Sequence, residues 1–155
     1  MRKLPQSSAS EERTGRAIRP PTRYSSPTGS HDGWLAGQMA KEIRAVGAST
    51  FLDETDIPKG SPNFKKVIRD EIAASRELVA LFTPWSMMRS WVWIEIGAAW
   101  SRAIPVVVVL FGMDLADLEK SGQGRAILED INVVHLNDFD DYLRQLEARI
   151  KGAQS

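Results

Sequence analysis

The chain has 155 residues, 43% of them hydrophobic, which is the size and apolar content of one ordinary domain with a real core. Twenty basic residues balance twenty acidic ones, which removes the electrostatic case for a nucleic-acid or anionic-membrane surface. The absence of cysteine excludes disulfides and thiolate chemistry and fits a reducing compartment.

The first 23 residues carry six basic and two acidic side chains among Ser and Pro, with few large apolar groups. Such a segment buries too little to offset its ordering entropy. Residues 1–22 are therefore expected to be a disordered basic tail and residues 23–152 a folded domain. The tail has no apolar stretch of the secretory type. The longest apolar run, Ile104 to Phe111, is too short for a membrane-spanning helix. A cytoplasmic location is the default.

Helix and strand signals then alternate. Trp34 to Val46 reads as a helix, because Leu35, Met39, Ile43 and Val46 recur at helical spacing, and Gly47 stops it. Ser49 to Leu52 reads as a short strand, followed by a polar loop from Asp53 to Gly60. Ser61 is expected to cap a helix with Pro62 at its first position and Phe64, Val67, Ile68 and Ile72 on its buried face. A strand lies within Glu77 to Thr83, and Pro84 ends it. Met88 to Arg102 reads as a helix that is apolar on nearly all sides. Pro105 to Phe111 reads as a strand whose four consecutive valines show no alternation, as expected of a parallel strand covered on both faces. Gly112 to Asp130 contains a weak helix. Asn132 to Leu136 reads as a strand, and Phe139 to Ile150 as a helix with Phe139, Leu143, Leu146 and Ile150 inside.

This order predicts an α/β fold, a flavodoxin-like, doubly wound, five-stranded parallel sheet. Such sheets bind ligands beyond the carboxyl ends of their strands, where strand order reverses. The segments to weigh are thus Tyr24–Asp32, Asp53–Gly60 and Thr83–Glu95. Glu95 stands out as a carboxylate among Trp91, Trp93, Ile94, Ile96 and Ala98, with Trp91 one turn earlier on the same face. A solvent-facing Glu, or one paired with Arg89 or Arg102, fits the spacing equally well. Asp53, Glu54 and Asp56 are placed where nucleotide folds hold ribose hydroxyls, or they form an ordinary acidic turn. No Walker-type phosphate loop is present. With only His31 and His135, far apart, a histidine metal cluster or a Ser–His nucleophile is not expected. His31-Asp32-Gly33 reads as a turn leading into a helix.

Several of these pieces, in this order, resemble the Toll/interleukin-1 receptor (TIR) domains, particularly bacterial members. Tyr24-Ser25-Ser26 precedes Trp34-Leu35-Ala36. Phe51-Leu52-Asp53 and Ile57-Pro58-Lys59-Gly60 look like the family's second strand and BB loop. Ile68 to Ser75 resembles its "I..AI..S" helix, and Leu78 to Pro84 its strand ending in Ser/Thr-Pro. Ser90-Trp91-Val92-Trp93-Ile94-Glu95 is similar to its "S-W-x-x-x-E" element, and Ile104-Pro105-Val106 to its "IPV" strand. The likeness spans roughly Tyr24 to Ile150.

The resemblance implies one of two jobs. Some members are non-catalytic adaptors that bind other TIR domains. Others cleave NAD+ between nicotinamide and ribose, and some cyclise the product. In the latter the matching glutamate, here Glu95, is catalytic, with Tyr24, Ser25, Ser26, Asp53, Asp56 and Trp91 as substrate-binding candidates. NAD+ is then a substrate, and no cofactor or metal is expected. Self-association that completes the site would involve Ile57, Pro58, Lys59 and Gly60. A separate sensor or effector protein and a role in bacterial anti-phage defence or signalling are also implied. A nucleoside deoxyribosyltransferase-like enzyme, which also uses a Glu at a ribose carbon, is a third reading. One departure stands out: Ala17 to Tyr24, where the family has its apolar first strand, holds Pro20, Pro21, Arg19 and Arg23. Proline cannot donate to a sheet ladder. Either the strand is only Thr22 to Ser25, or the chain pairs differently there, or the segment is aberrant.

Overall fold

A computed structural model describes residues 22–23, 31–50 and 62–153. In chain order it contains strand β1 (Thr22–Arg23), helix α1 (His31–Ala45), helix α2 (Phe64–Ala74), strand β2 (Leu78–Phe82), helix α3 (Ser90–Trp100), strand β3 (Val106–Leu110), helix α4 (Leu115–Lys120), strand β4 (Asn132–His135) and helix α5 (Phe139–Ala153). Short 3-10 turns precede α3, β4 and α5, over Ser86–Met88, Leu128–Asp130 and Leu136–Asp138.

The four strands form one parallel sheet in the order β1-β2-β3-β4. Val79 pairs with Val107 and Val108 with Val133. Every residue of β2 and β3 is buried. Their side chains alternate between two cores. Val79, Leu81, Val107 and Val109 pack with α1 and α5 on one face. Leu78, Ala80, Phe82, Val106, Val108 and Leu110 pack with α2, α3 and α4 on the other. Two covered faces explain the unbroken apolar runs. This is the doubly wound α/β architecture expected from the alternating pattern.

Among the described residues β1 holds Thr22 and Arg23, paired with Val79 and Ala80. Both lie after Pro21 and neither lacks an N–H, so the described part of the strand escapes the proline problem, while Tyr24 and Ser25 of the expected Thr22–Ser25 strand lie outside the described residues. Of the expected second strand, Ser49 and Thr50 are not in a strand, and Phe51 and Leu52 lie outside the described residues.

The remaining differences are local. α2 begins at Phe64, because its first helical bond runs from the Val67 N–H to the Asn63 carbonyl (3.0 Å); Pro62 sits in the preceding turn, and Ser61 is outside the described residues. Phe64 is 39% exposed rather than buried, while Ile68 and Ile72 carry the core contact. α3 is two residues shorter at each end than its apolar stretch, with a 3-10 turn in front and Ala103 in the left-handed region (φ 53°) behind. All four expected core residues of α5 are buried, joined by Tyr142.

Candidate functional site

The carboxyl edge of the sheet is organised around β2. Thr83 and Ser86 follow that strand and are both buried. The Thr83 N–H donates to Ser86 Oγ (2.8 Å), and Ser86 Oγ donates to the Leu81 carbonyl (3.1 Å). Thr83 Oγ1 donates to Asp32 Oδ2 (2.9 Å). Asp32 lies in the first turn of α1 and is 7% exposed. Its charge there is favourable both for the helix dipole and for the hydroxyl it accepts from. The turn from Thr83 to Ser86 is thereby tied to α1 across the crevice. The sequence reading passed Asp32 over as part of a turn. Its signal was an acid at a helix start next to the segment that leaves the central strand, which gains meaning only once α1 and β2 are neighbours.

This frame leads directly into α3. Trp93 is held by its Nε1–H on the Met87 carbonyl (2.8 Å) and by edge-to-face contact with Phe82 (centroids 5.1 Å apart). With Trp93 locked, Val92, Glu95, Ile96 and Ala99 form the buried stripe of α3. Glu95 is 3% exposed. That settles one alternative left open by spacing: Glu95 is not a solvent-facing residue. Arg102 donates to the Ala98 carbonyl at the end of the helix (3.2 Å).

Glu95 also lines a cavity of ≈ 210 Å³ between α2 and α3. Lys65, Ile68, Arg69 and Ile72 form one wall, and Trp91, Ile94, Glu95 and Ala98 the other. Both sets repeat at the same helical interval, so two parallel stripes face each other. The walls are aliphatic between a carboxylate on one side and two cationic side chains on the other. Trp91 shares this wall with Glu95, as its spacing predicts, and stacks on Phe64 of α2 (centroids 6.3 Å, planes 26° apart). Its Nε1–H is buried and meets no acceptor among the described residues. The stack supports a packing role for Trp91, and the indole N–H retains hydrogen-bonding capacity for a ligand oxygen.

Tyr24, Ser25, Ser26, Asp53, Asp56 and the segment Ile57, Pro58, Lys59 and Gly60 lie outside the described residues, so of the sequence candidates Trp91 and Glu95 alone are placed. Lys65 and Arg69 were not singled out by the sequence reading. A basic residue on an exposed helix face carries no signal until the opposite wall of the cavity is known.

At the amino end of the sheet, away from this cavity, Glu77 just before β2 is also buried. It accepts from the Tyr142 hydroxyl (2.5 Å) and from Arg149 Nη1 (2.7 Å). Burial, and then the Glu77 charge, push the Tyr142 hydroxyl far above the ordinary phenol value. The hydrogen bond to Glu77 holds the Arg149 guanidinium above its ordinary value. This cluster ties α5 to β2 and is structural.

No helix among the described residues is long and apolar enough to cross a membrane. Compared with known families, residues 24–147 match the TIR domain family. No curated protein matches the chain significantly.

Proposed function

We propose that this chain, which belongs to the TIR domain family, cleaves NAD+ between nicotinamide and ribose, with Glu95 as the catalytic carboxylate. The observation that carries the reading is a carboxylate that is 3% exposed yet lines a cavity. Burying a carboxylate is costly, and a helix that only had to pack could use an apolar residue at that position.

The reaction asks little of the protein beyond that charge. Nicotinamide in NAD+ is a cationic pyridinium, so it departs with the C–N bonding pair as a neutral molecule and needs no proton. The general acid of ordinary glycosidases is therefore dispensable. Positive charge develops at the ribose carbon, and a carboxylate beside it stabilises that charge. Water then adds to the carbon and releases its proton, giving ADP-ribose; attack by the adenine ring nitrogen instead gives a cyclic product. Trp91, stacked on Phe64, fixes the α2–α3 wall and offers its N–H to a ligand oxygen. In this reading Tyr24, Ser25, Ser26, Asp53 and Asp56 supply further substrate contacts, and the Ile57–Gly60 segment completes the site on self-association. The activity would serve defence signalling.

The test is nicotinamide release by concentrated wild-type protein and by Glu95→Gln, which keeps the side-chain volume. We expect a loss of about a hundredfold or more in rate, in line with removal of a charge aimed at the transition state. Circular dichroism should be unchanged. Equal turnover by the two proteins would sink the reading.

A second reading, a non-catalytic interaction module, is favoured by a different observation. Trp34, Trp85 and Met88 are 70%, 72% and 64% exposed around the carboxyl edge of the sheet. Large exposed apolar side chains of this kind mark contact surfaces. If wild-type protein self-associates and Trp85→Glu disperses it, while NAD+ stays intact, this second reading replaces the first.

A further inference from the structure

The lining of the cavity is mostly apolar, but it includes two cationic residues on the α2 wall and a carboxylate residue on the α3 wall, and this pairing has a chemical match. Lys65 and Arg69 stand one turn apart on α2 and line it with Glu95 opposite. Among the described residues neither cation has a carboxylate partner, and the Arg69 Nε–H donates to the Lys65 carbonyl (3.3 Å). The neighbouring Lys66, by contrast, is paired with Asp70 (2.6 Å) away from the cavity. The first turn of α2 holds Lys65 and Lys66 and no acidic residue. Cations at a helix N-terminus oppose the helix dipole, an arrangement that an anion relieves. At ≈ 210 Å³ the cavity is smaller than the roughly 300–1,000 Å³ of complete small-molecule sites, so a dinucleotide would extend beyond it.

We propose that Lys65 and Arg69 are the diphosphate-binding residues of this site and that they set the direction in which the dinucleotide lies. The inference rests on the NAD+ reading of Glu95. NAD+ is cationic at nicotinamide and anionic at its diphosphate. Placing the diphosphate on Lys65 and Arg69 directs the nicotinamide ribose across the cavity to Glu95. The reverse orientation would bring phosphate to a carboxylate and pyridinium to two cations. The pair thus acts as a positioning device for the reacting bond, and it selects pyridine nucleotides that carry phosphate over the free nucleoside.

The experiment compares wild type, Lys65→Ala, Arg69→Ala and the double variant, with Lys66→Ala as control. KM and kcat are measured for NAD+ and for nicotinamide riboside, which has the same scissile bond and no phosphate. ADP-ribose affinity is measured in parallel by calorimetry. We expect the double variant to raise KM for NAD+ and weaken ADP-ribose about tenfold or more, because each charge-assisted phosphate contact is among the stronger polar interactions. KM for the riboside should move less than about twofold. Lys66→Ala should change nothing. The inference is overturned if NAD+ is cleaved but its KM is unmoved, or if both substrates suffer equally; the Glu95 reading then survives. If wild type cleaves no NAD+, that reading fails and calorimetry decides alone. Loss of ADP-ribose binding in the double variant supports the cationic pair, and unaltered or absent binding by wild type overturns it.

Discussion

Single residues decide where helices stop and how α3 is seated. α1 ends on Gly47 (φ 94°), with the Ala48 N–H bonded to the Ile43 carbonyl and the Gly47 N–H to the Arg44 carbonyl. α3 ends the same way, but Ala103 occupies the left-handed position: Ile104 bonds to Ala99 and Ala103 to Trp100. A side chain in that region costs about 1–2 kcal/mol, partly offset by the greater unfolded-state freedom of glycine. Ala103→Gly should therefore raise stability by about 1 kcal/mol, read as a higher urea midpoint at constant slope. The opposite holds at Gly124. A Cβ there would lie 1.9 Å from the Trp93 ring, which its bond to Met87 and its contact with Phe82 hold in place. Gly122 has a similar φ but open space around it. Gly124→Ala should destabilise well beyond Gly122→Ala and, under the proposed NAD+ cleavage, should also lower turnover, because displacing Trp93 shifts the helix that carries Glu95. Equal effects of the two changes would refute the seating argument.

Pairs of elements are joined by buried carboxylates at opposite ends of β2. Asp32 joins α1 to the turn after the strand, and Glu77 joins α5 to the residue before it. Thr83→Val keeps shape but removes the donor to Asp32, a buried charged acceptor. It should cost about 1–3 kcal/mol, with α1 amides losing protection from hydrogen exchange before those of α5. Tyr142→Phe should cost a similar ~1.5–3 kcal/mol, since it removes the hydroxyl from Glu77 and leaves Arg149 as that carboxylate's remaining partner among the described residues. If the Thr83 variant frays α5 rather than α1, the assignment of the two clasps is wrong.

For the molecule as a whole, Tyr142 links folding to pH. Its hydroxyl titrates near 10 in the unfolded chain and higher in the fold, so the folded state holds this proton more tightly. The stability it confers is complete below about pH 10 and is lost as pH rises toward the folded value. Wild type should lose urea resistance between about pH 8 and about pH 11, and Tyr142→Phe should lose less across that interval, despite its lower stability at pH 8. Parallel declines would show that other groups dominate. At this scale, too, Trp34 and Trp85 stand exposed beyond the carboxyl ends of β1 and β2, whereas the Glu95 cavity lies between α2 and α3.

The amino-acid sequence by itself determined the α/β class, the positions of α1, α3, β2, β3 and α5, and the candidacy of Glu95. Periodicity is a local quantity, and the runs Leu78–Phe82 and Val106–Leu110 report double burial without knowledge of any partner. It also located the difficulty at Pro20 and Pro21, because a missing N–H is a property of the residue alone. Only the tertiary structure decided that Thr22 and Arg23 pair with β2, that Phe64 leaves the core to stack on Trp91, and that Asp32 is buried against Thr83. The same holds for Glu95 facing Lys65 and Arg69, which are separated from it along the chain by a strand and a turn. Those facts depend on which surfaces meet, and charge on an exposed helix face acquires meaning only from the wall opposite.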